Sequence, residues 1–434
     1  MSIEREPSCE DVTEPALLPV ETARRRIAEA LLPITDEETL ALGTAAGRVL
    51  ARAIVAPHDV PSHDNSAMDG YALSRESIPA SGEAALALLG TAWAGRPFGG
   101  AVGPGEAVRI FTGAIMPSGA DTVVIQERAA ESEGAVRIAS DVEAGRNVRL
   151  AGEDVAAGHE VFAVGRRLAA ADVGVIASLG IGRVVVVRRP RVAFFTTGDE
   201  LCPLAEDTDG AAPPPGMLYD SNRHTLAALL DGLGVEGIDL GVVPDTAEAT
   251  REALDRAGAL ADLVVTSGGI SAGEADHVTR VFHQIGDVAF WKVAMRPGRP
   301  LAFGRLAPGS AGGPGAVFFG LPGNPVAVMV TFLQFVQPAI RRLSGMSVEA
   351  IEPLTLPARC LSSLRKSAGR VEYQRGVMRV EAGELVVAST GKQGAGRLSS
   401  MSAANCLIVI GAEVDGVTPG DVVGVQPFEG LLPG

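Results

Sequence analysis

From residue 191 onward, runs of consecutive apolar residues alternate with segments in which apolar residues recur every three or four positions. The first pattern predicts buried strands, and the second predicts amphipathic helices. Strands are predicted at residues 191–197, 238–243, 262–266, 288–293, 301–304 and 317–319, and helices at residues 221–233, 246–259, 275–285 and 325–343. This alternation is typical of a three-layer α/β domain with a mostly parallel sheet.

The rest of the chain carries shorter elements. Helical periodicity predicts helices at residues 21–32 and 168–180, and a short helix or turn that begins at Asp36. Between the two helices, short β-like runs are separated by glycine and proline turns; they lie at residues 107–112, 121–126 and 135–138. We therefore predict a discontinuous helical/β N-terminal domain (residues 16–58 and 152–188), an inserted β-rich domain (59–151), the α/β domain (189–345) and a C-terminal β-barrel-like domain (346–434).

Residues 316–340 contain no charged residue and have the hydropathy of a membrane span. A turn of proline, glycine and asparagine at residues 322–325 divides this stretch, which predicts a buried strand followed by a buried helix. Asn324 suits the N-cap of that helix and Pro325 its first turn, while Arg341 and Arg342 suit the negative end of its dipole.

Composition narrows the class of protein. The 434 residues are 47% hydrophobic and 21% charged, which is ordinary for globular proteins and excludes global disorder. The formal net charge of −15 disfavours nucleic acid and anionic membrane surfaces as partners, although a local basic pocket for a small anion is compatible with it. The four cysteines are far apart, and residues 1–15 are polar without an apolar signal-peptide core. A reducing, cytoplasmic location is expected.

Four segments of unusual composition follow predicted strands of the α/β domain: TTGDE (196–200), VVPDT (242–246), TSGGIS (266–271) and GLPGNP (320–325). In an open α/β sheet, ligands bind beyond the carboxyl ends of the strands. Small residues there let backbone N–H groups approach phosphate oxygens. Each segment alone could be an ordinary tight turn, but four at one edge predict an anion-binding site.

The same edge collects carboxylates, namely Asp199, Glu200, Asp245, Glu274 and Asp276. Carboxylates beside phosphates repel them unless a cation intervenes, and Mg²⁺ is commonly held by a few carboxylates together with phosphate oxygens. We therefore expect a divalent cation here. The alternative is that these acids serve as helix caps, and Asp245 directly before Thr246 suits that role.

Basic residues cluster in WKVAMRPGRP (291–300), which contains Lys292, Arg296 and Arg299. If one extended strand holds Lys292 and Arg296, their even spacing puts them on the same side. The forked guanidinium group of arginine suits tetrahedral oxyanions, so this segment is predicted to bind one. The alternative is that the segment is a solvated basic edge strand. The polar segment DNSAMDGYA (64–72) predicts a shaped loop, for which a turn held by Asx hydrogen bonds is the alternative.

Taken together and in this order, DNSAMDGYA, FTGAIMP, GEDV, TTGDE, SGGIS with GEAD, FWKVAMRPGRP, LPGNP, YQRG and GKQGAGRLSS resemble the molybdopterin molybdenumtransferase family of the MoeA type, which is related to the E domain of gephyrin. The resemblance spans residues 17–430. It implies a four-domain homodimer whose active site is shared between the α/β domain of one subunit and the β-rich insert of the other. It also implies insertion of molybdenum from molybdate into adenylylated molybdopterin, with release of AMP and help from Mg²⁺ or Zn²⁺.

The resemblance also assigns residues. The family's functional positions fall on Asp69, Thr112, Asp154, Glu200, Asp245, Asp276 and Lys292. For molybdate and phosphate binding we expect Ser267, Gly268, Gly269, Ser271, Arg296, Arg299, Pro300 and Arg375. The expected metal ligands are Glu200, Asp245 and Asp276, and Asp69 is expected to come from the partner subunit.

This chain departs from the family pattern at two places. Arg296 and Arg299 stand where the family usually has lysines, and Ala395 stands where it often has a serine, for which Ser399 or Ser400 could substitute. The retained carboxylates and Lys292 favour an active enzyme. The alternatives are a non-catalytic scaffold like gephyrin, a nucleotide diphosphate hydrolase on the same α/β domain, and a preference for tungstate. Contact with the upstream molybdopterin adenylyltransferase is also expected.

Overall fold

The structure is a computed structural model that describes residues 17–204, 208–269, 281, 286–307, 315–347 and 351–428. The chain divides into two compact units. The insert unit comprises residues 39–46 and 52–185, and the main unit comprises the described residues before, between and after these segments. The four predicted domain boundaries stay a prediction.

The chain enters the main unit through helix α1 (Val20–Ala30), which buries Val20, Ala23 and Ile27 on one face as its periodicity predicts. The prediction of a short helix or turn that begins at Asp36 is wrong. Strand β1 (Glu37–Ala41) lies there instead, followed by one 3₁₀ turn. Exposure alternates residue by residue along β1, which is the two-residue period of a strand rather than the period of a helix.

The insert unit is built around a six-stranded sheet. The elements of this region are β2 (Ile54–Val55), β3 (Asn65–Ser66), β4 (Gly70–Leu73), β5 (Glu83–Ala92), β6 (Glu106–Ile110), β7 (Thr122–Ile125), β8 (Ala129–Ser132), β9 (Ala135–Ala139), β10 (Val148–Arg149), β11 (Glu160–Phe162), α2 (Ala170–Ser178) and β12 (Arg183–Val187). The sheet has the order β7-β4-β6-β5-β9-β8, in which only β5 and β6 are parallel. It confirms the three predicted β-runs.

The α/β part of the main unit follows. Its elements are β13 (Arg191–Thr197), β14 (Leu201–Cys202), β15 (Leu218–Tyr219), α3 (Ser221–Leu233), β16 (Glu236–Val243), α4 (Ala247–Leu260), β17 (Leu263–Ser267), β18 (Gly286–Lys292), β19 (Met295–Arg296), β20 (Pro300–Leu306), β21 (Val317–Leu321) and α5 (Pro325–Leu343). The described elements match the predicted strands and helices within a few residues. The helix predicted at 275–285 lies outside the described residues except for Val281.

The central sheet has the order β16-β13-β17-β21-β20-β18. The first four strands are parallel to one another, and β20 and β18 run antiparallel. Adjacent residues of β21 point to opposite faces, so Phe319 belongs to the hydrophobic core that contains Leu226 of α3, whereas Phe318 belongs to the core that contains Leu254 of α4. Helices therefore cover both faces, and the predicted three-layer α/β architecture is confirmed.

Helix α5 is the one helix in the described part of the chain that is long and apolar enough to cross a membrane. Of the most apolar stretch of this helix, 83% is buried inside the protein. The middle of the helix, Phe332–Val336, is a π-helical segment. Asn324 is its N-cap residue and Pro325 lies in its first turn, as predicted. The buried strand, turn and core helix expected for residues 316–340 are confirmed.

The C-terminal part of the main unit forms a closed five-stranded barrel, as expected. Its elements are β22 (Leu356–Cys360), β23 (Leu364–Arg365), β24 (Val371–Glu381), β25 (Glu384–Ser389), α6 (Ser399–Ser402), β26 (Cys406–Ile410), β27 (Gly416–Val417) and β28 (Val422–Pro427). The ring runs β24-β25-β22-β28-β26 and closes through pairing of β24 with β26. Strand β19 adds to this sheet beside the start of β24.

A half-buried ion pair anchors the start of the central sheet and makes stability depend on pH. Asp262 accepts hydrogen bonds from Arg188 Nη1 and Nη2 at 2.7 and 2.8 Å and from the Arg191 backbone N–H at 2.8 Å. Burial alone would raise the pKa of Asp262, but these hydrogen bonds outweigh it, and the pKa lies below its usual value. A carboxylate whose folded-state pKa is depressed stabilises the fold above its unfolded pKa and loses that contribution as pH falls through the folded value.

Asp262→Asn is therefore expected to lower the free energy of unfolding by about 1–3 kcal/mol at pH 7, because charge-assisted hydrogen bonds are lost. The difference from the parent protein should shrink as the pH is lowered toward 3. Urea unfolding at several pH values measures this. Glu29→Gln, which breaks an exposed pair with Arg25 on α1, should change stability by less than about 0.5 kcal/mol. A difference that stayed constant between pH 7 and pH 3 would contradict the assignment.

Candidate functional site

The carboxyl ends of four parallel strands meet at one edge of the central sheet. Their order is β16-β13-β17-β21, and Ser267 pairs with Thr196 on one side and with Leu321 on the other. The four segments singled out in the sequence begin at these strand ends, so their predicted convergence is confirmed. They open onto a cavity of about 490 Å³ that also reaches residues of the barrel.

Eight of the residues expected to bind or react line this cavity: Glu200, Asp245, Ser267, Gly268, Gly269, Arg296, Pro300 and Arg375. The cavity is also lined by residues to which the sequence analysis assigned no binding role of their own, among them Thr197, Asn222, Asn324, Glu372, Tyr373 and Gln393. Acidic, basic and neutral polar groups thus share one opening.

The floor of the cavity is a close approach between two strand ends. Gly268 has a φ of +95°, and a Cβ atom on it would lie 2.3 Å from the Thr197 carbonyl oxygen. Only glycine fits this position without moving the backbone. The tightness of this turn explains why a glycine-rich segment follows β17.

Asn222 links two of the segments that form the floor of the cavity through hydrogen bonds. Its Nδ2 donates to Ser267 Oγ at 3.0 Å and to the Gly323 carbonyl at 2.7 Å, and Ser267 Oγ donates to the Pro322 carbonyl at 3.2 Å. Sequence reasoning could have found Asn222, because it follows Asp220, the residue that caps α3 by accepting from the Arg223 backbone N–H at 3.1 Å. A polar residue in the first turn of a helix at the sheet edge indicates a site.

Two buried polar atoms of lining residues have no hydrogen-bond partner among the described residues. They are Thr197 Oγ1 and Asn222 Oδ1. A buried polar atom without a partner costs about 1–3 kcal/mol, so such atoms are usually satisfied by a ligand or by water. The cavity is therefore suited to a polar ligand.

Arg375 supplies a buried positive charge. The residue is 1% exposed, its Nε donates to Ser400 Oγ at 3.0 Å and its Nη2 to the Gly394 carbonyl at 3.2 Å. Burial lowers the pKa of Arg375 to about 10, against a smaller opposing effect of Glu372, so the guanidinium is still charged at neutral pH. A buried cation at a cavity favours an oxyanion. Ser400 orients Arg375, and neither Ser399 nor Ser400 is among the residues that line the cavity.

The basic segment departs from the prediction. Lys292 ends β18, whereas Arg296 belongs to β19 in the barrel sheet, so one extended strand does not hold both residues. The break arises where Leu18 pairs with the chain: its N–H donates to the Lys292 carbonyl, and its own carbonyl accepts from Ala294. Lys292 and Arg299 are not among the residues that line the cavity.

Three expected residues belong to the insert unit. Asp69 Oδ1 accepts from the Thr112 backbone N–H at 2.8 Å and from Thr112 Oγ1 at 2.7 Å. The backbone bond first, and then the hydroxyl bond, lower the pKa of Asp69 below its usual value, so it is a carboxylate at neutral pH. Asp154 is exposed, and its backbone N–H donates to the Val60 carbonyl.

The expected metal ligands are only partly described. Glu200 and Asp245 line the cavity, whereas Asp276 and Ser271 lie outside the described residues. Within the described ranges, no group of three histidine, cysteine or carboxylate side chains could hold a metal ion. The alternative role for Asp245 is wrong, since Thr246 is the N-cap of α4 and accepts from the Ala249 N–H at 3.2 Å.

A glycine turn at a parallel sheet edge, a buried arginine and two carboxylates around one cavity are features of an α/β protein suited to anionic ligands. Comparisons with known proteins agree with this class. Residues 18–180 match the MoeA N-terminal region (domain I and II), residues 193–342 a probable molybdopterin binding domain, and residues 357–428 the MoeA C-terminal region (domain IV).

Individual proteins match over most of the chain. A molybdopterin molybdenumtransferase of Haemophilus influenzae is 40% identical across 96% of this chain and 100% of that protein. Gephyrin of Dictyostelium discoideum is 31% identical across 91% of this chain and 60% of that protein. The crystal structure of a molybdopterin biosynthesis MoeA protein from Pyrococcus horikoshii superposes with a TM-score of 0.81 at 27% identity, across 95% and 100% of the two chains. The chain belongs to the MoeA family of molybdopterin molybdenumtransferases.

Proposed function

We propose that this protein transfers molybdenum from molybdate into adenylylated molybdopterin and releases AMP. Family membership makes it a transferase of molybdenum cofactor biosynthesis. The observation that carries the finer proposal is buried Arg375 beside the glycine edge of the central sheet. Both substrates are anions, whereas the protein carries a net charge of −15, so binding requires a local cationic pocket of this kind.

Within the cavity, Arg296 and Arg375 are proposed to hold molybdate. The backbone N–H of Gly269 is proposed to donate to phosphate oxygens. The Gly268 N–H donates to the Leu321 carbonyl at 3.1 Å and the Ser267 hydroxyl to the Pro322 carbonyl at 3.2 Å, so these two residues are proposed to shape the phosphate position. Lys292, Arg299, Pro300 and Ser271 remain proposed contributors to the same anions.

A divalent cation fits the acidic side of the cavity. Glu200 and Asp245 offer carboxylate oxygens, which Mg²⁺ prefers and Zn²⁺ accepts, and Asp276 is proposed as the third ligand. When bound, such a cation neutralises negative charge on the diphosphate and on departing AMP. The carboxylates would hold it next to the phosphate positions.

We propose a cytoplasmic homodimer in which Asp69, Thr112 and Asp154 of one subunit complete the active site of the other. We also propose that the enzyme receives its substrate through contact with an adenylyltransferase.

Mixing subunits tests the shared site. Asp69→Asn and Arg375→Gln subunits are each expected to be inactive. After mixing, about a quarter of the parent activity should return, because half of the dimers then hold one intact site out of two. No recovery in verified mixed dimers would place both residues in a site formed by one subunit.

The activity itself is tested by AMP release from purified adenylylated molybdopterin in Mg²⁺, with and without molybdate. Release that depends on molybdate and yields a cofactor that activates an apo molybdoenzyme supports the proposal. Release independent of molybdate would indicate a diphosphate hydrolase, and tight binding without release would indicate a scaffold. Replacing molybdate by tungstate in the same assay compares the two oxyanions.

Thr112 is expected to hold the pKa of Asp69 below its ordinary value. Thr112→Val removes the hydroxyl bond and keeps the backbone bond, so the pKa of Asp69 should rise toward its ordinary value. Carboxyl-carbon NMR titration measures the shift, and Thr112→Ser should restore it. Thr122→Val, which removes a hydroxyl that bonds Asp121 in the same unit, is the matched control and should leave Asp69 unaffected. An unchanged Asp69 titration in Thr112→Val would refute the role given to the hydroxyl.

A further inference from the structure

Two aromatic rings stack at the end of the insert sheet. The ring centroids of Trp93 and Phe111 are 4.2 Å apart, and the ring planes differ by 10°. Trp93 follows β5 and Phe111 follows β6, which are parallel neighbours with Ala92 opposite Ile110. The Phe111 backbone N–H donates to the Ala92 carbonyl at 3.2 Å. The main chain therefore places the two residues side by side at the end of the sheet, where their rings stack.

The stacked pair is open to solvent. Trp93 is 45% exposed even though Phe111 covers one face of its indole. The second tryptophan of the chain, Trp291, is 5% exposed and packs on Phe303 in the core of the main unit. An exposed, rigidly held indole is a surface on which a planar ring gains stacking energy.

The residue that follows Phe111 in the sequence belongs to the predicted active site. Phe111 directly precedes Thr112, whose N–H and hydroxyl bind Asp69. The Arg109 guanidinium carbon lies 5.6 Å from the Phe111 ring centroid, and Arg109 also bonds Glu131 at 3.2 Å. The aromatic pair is thus continuous with the acid that the proposed function places in the active site, and a cation lies beside it.

We propose that Trp93 and Phe111 form a stacking subsite for a planar heteroaromatic ring of the adenylylated substrate. This inference rests on the proposed function, because that substrate carries two such rings, adenine and pterin. Stacking on an aromatic side chain tolerates any flat ring, so both rings share the required chemistry. Trp93 is a binding residue here and takes no part in bond making.

The test uses the full-length protein with AMP and 6-hydroxymethylpterin as separate probes. Emission of exposed Trp93 is expected to be quenched by the ring that occupies the subsite, while emission of buried Trp291 serves as the internal reference. Calorimetric titration gives each dissociation constant. Quenching by AMP identifies adenine as the occupant, and quenching by the pterin alone identifies the pterin.

Trp93→Leu is expected to weaken binding of that probe about tenfold or more, since loss of a stacking residue typically has an effect of this size. Trp93→Phe should recover most of the affinity. Leu89→Ala removes another exposed apolar side chain of β5 and should bind like the parent. Each variant is compared with the parent by its thermal unfolding midpoint.

In the AMP-release assay, Trp93→Leu should raise KM by the same factor as the dissociation constant and leave kcat within about twofold, as expected for a residue that contributes to binding alone. Equal affinities of Trp93→Leu and the parent for both probes, without quenching by either, would overturn the subsite. The parent's molybdate-dependent AMP release reports on the proposed function separately, so a failure of the subsite can be distinguished from a failure of the proposed function.

Discussion

Replacing Arg375 with alanine is expected to lower the rate of molybdate-dependent AMP release by a factor of about 10²–10³, the usual effect of removing one preorganised donor from a charged site. The guanidinium is buried at the cavity, and Ser400 and the Gly394 carbonyl already hold it in place. Its charge is therefore available without rearrangement when an oxyanion binds. The measurement is steady-state AMP release at several molybdate concentrations.

Two further variants separate charge from folding. Arg375→Lys keeps the charge but loses the planar fork, so it should be intermediate, with the larger change in apparent molybdate affinity. Arg359→Ala removes an exposed arginine of β22 that pairs with Glu384 and should be as active as the parent. If Arg375→Ala remained folded and released AMP at the parental rate, Arg375 would have no role in the reaction.

The second large effect is expected at Gly268. An alanine there must adopt a φ of +95° and place its Cβ 2.3 Å from the Thr197 carbonyl oxygen, so the ends of β13 and β17 must separate. Strain of this kind typically destabilises a protein by about 1–3 kcal/mol. Since the same backbone lines the cavity, we also expect at least a tenfold weaker affinity for AMP. Urea unfolding and calorimetric titration measure the two effects.

Gly323→Ala is the matched control for stability. Gly323 lines the same cavity, but a Cβ there would meet only the Gly268 Cα, at 3.9 Å. It should unfold at nearly the same urea concentration as the parent. Equal stability of Gly268→Ala and Gly323→Ala would show that the turn after β17 can shift easily, which contradicts the packing described above.

The elements of the α/β part were predictable because their apolar residues follow simple periods, and the strand predicted at 191–197 coincides with the structure to the residue. Convergence of the glycine segments followed from strand order, since parallel strands share their carboxyl edge. Local patterns failed where distant residues decide the conformation. Pairing with Leu18 separates Lys292 from Arg296, and the two-residue burial period that makes 37–41 a strand is too faint in EETLA to be recognised.

The candidate site was predictable in type and less so in detail. Glycines, carboxylates and Arg375 stood out by composition or by resemblance, and the cavity contains them. Asn222 supports Ser267 and Gly323, and Ser400 supports Arg375, through hydrogen bonds to residues that are distant in sequence. Such support depends on the tertiary structure, and the chain's composition carries no sign of it.

The short strand β19 has a mechanical consequence. Met295 and Arg296 pair in parallel with Val371 and Glu372, and the Val371 N–H donates to the Ala294 carbonyl at 2.9 Å. Arg375 lies three residues further along the same strand β24. Main-chain hydrogen bonds therefore set the spacing between the backbones of the two arginines. The entropy of ordering this part of the anion site is lost during folding, and binding does not have to supply it again.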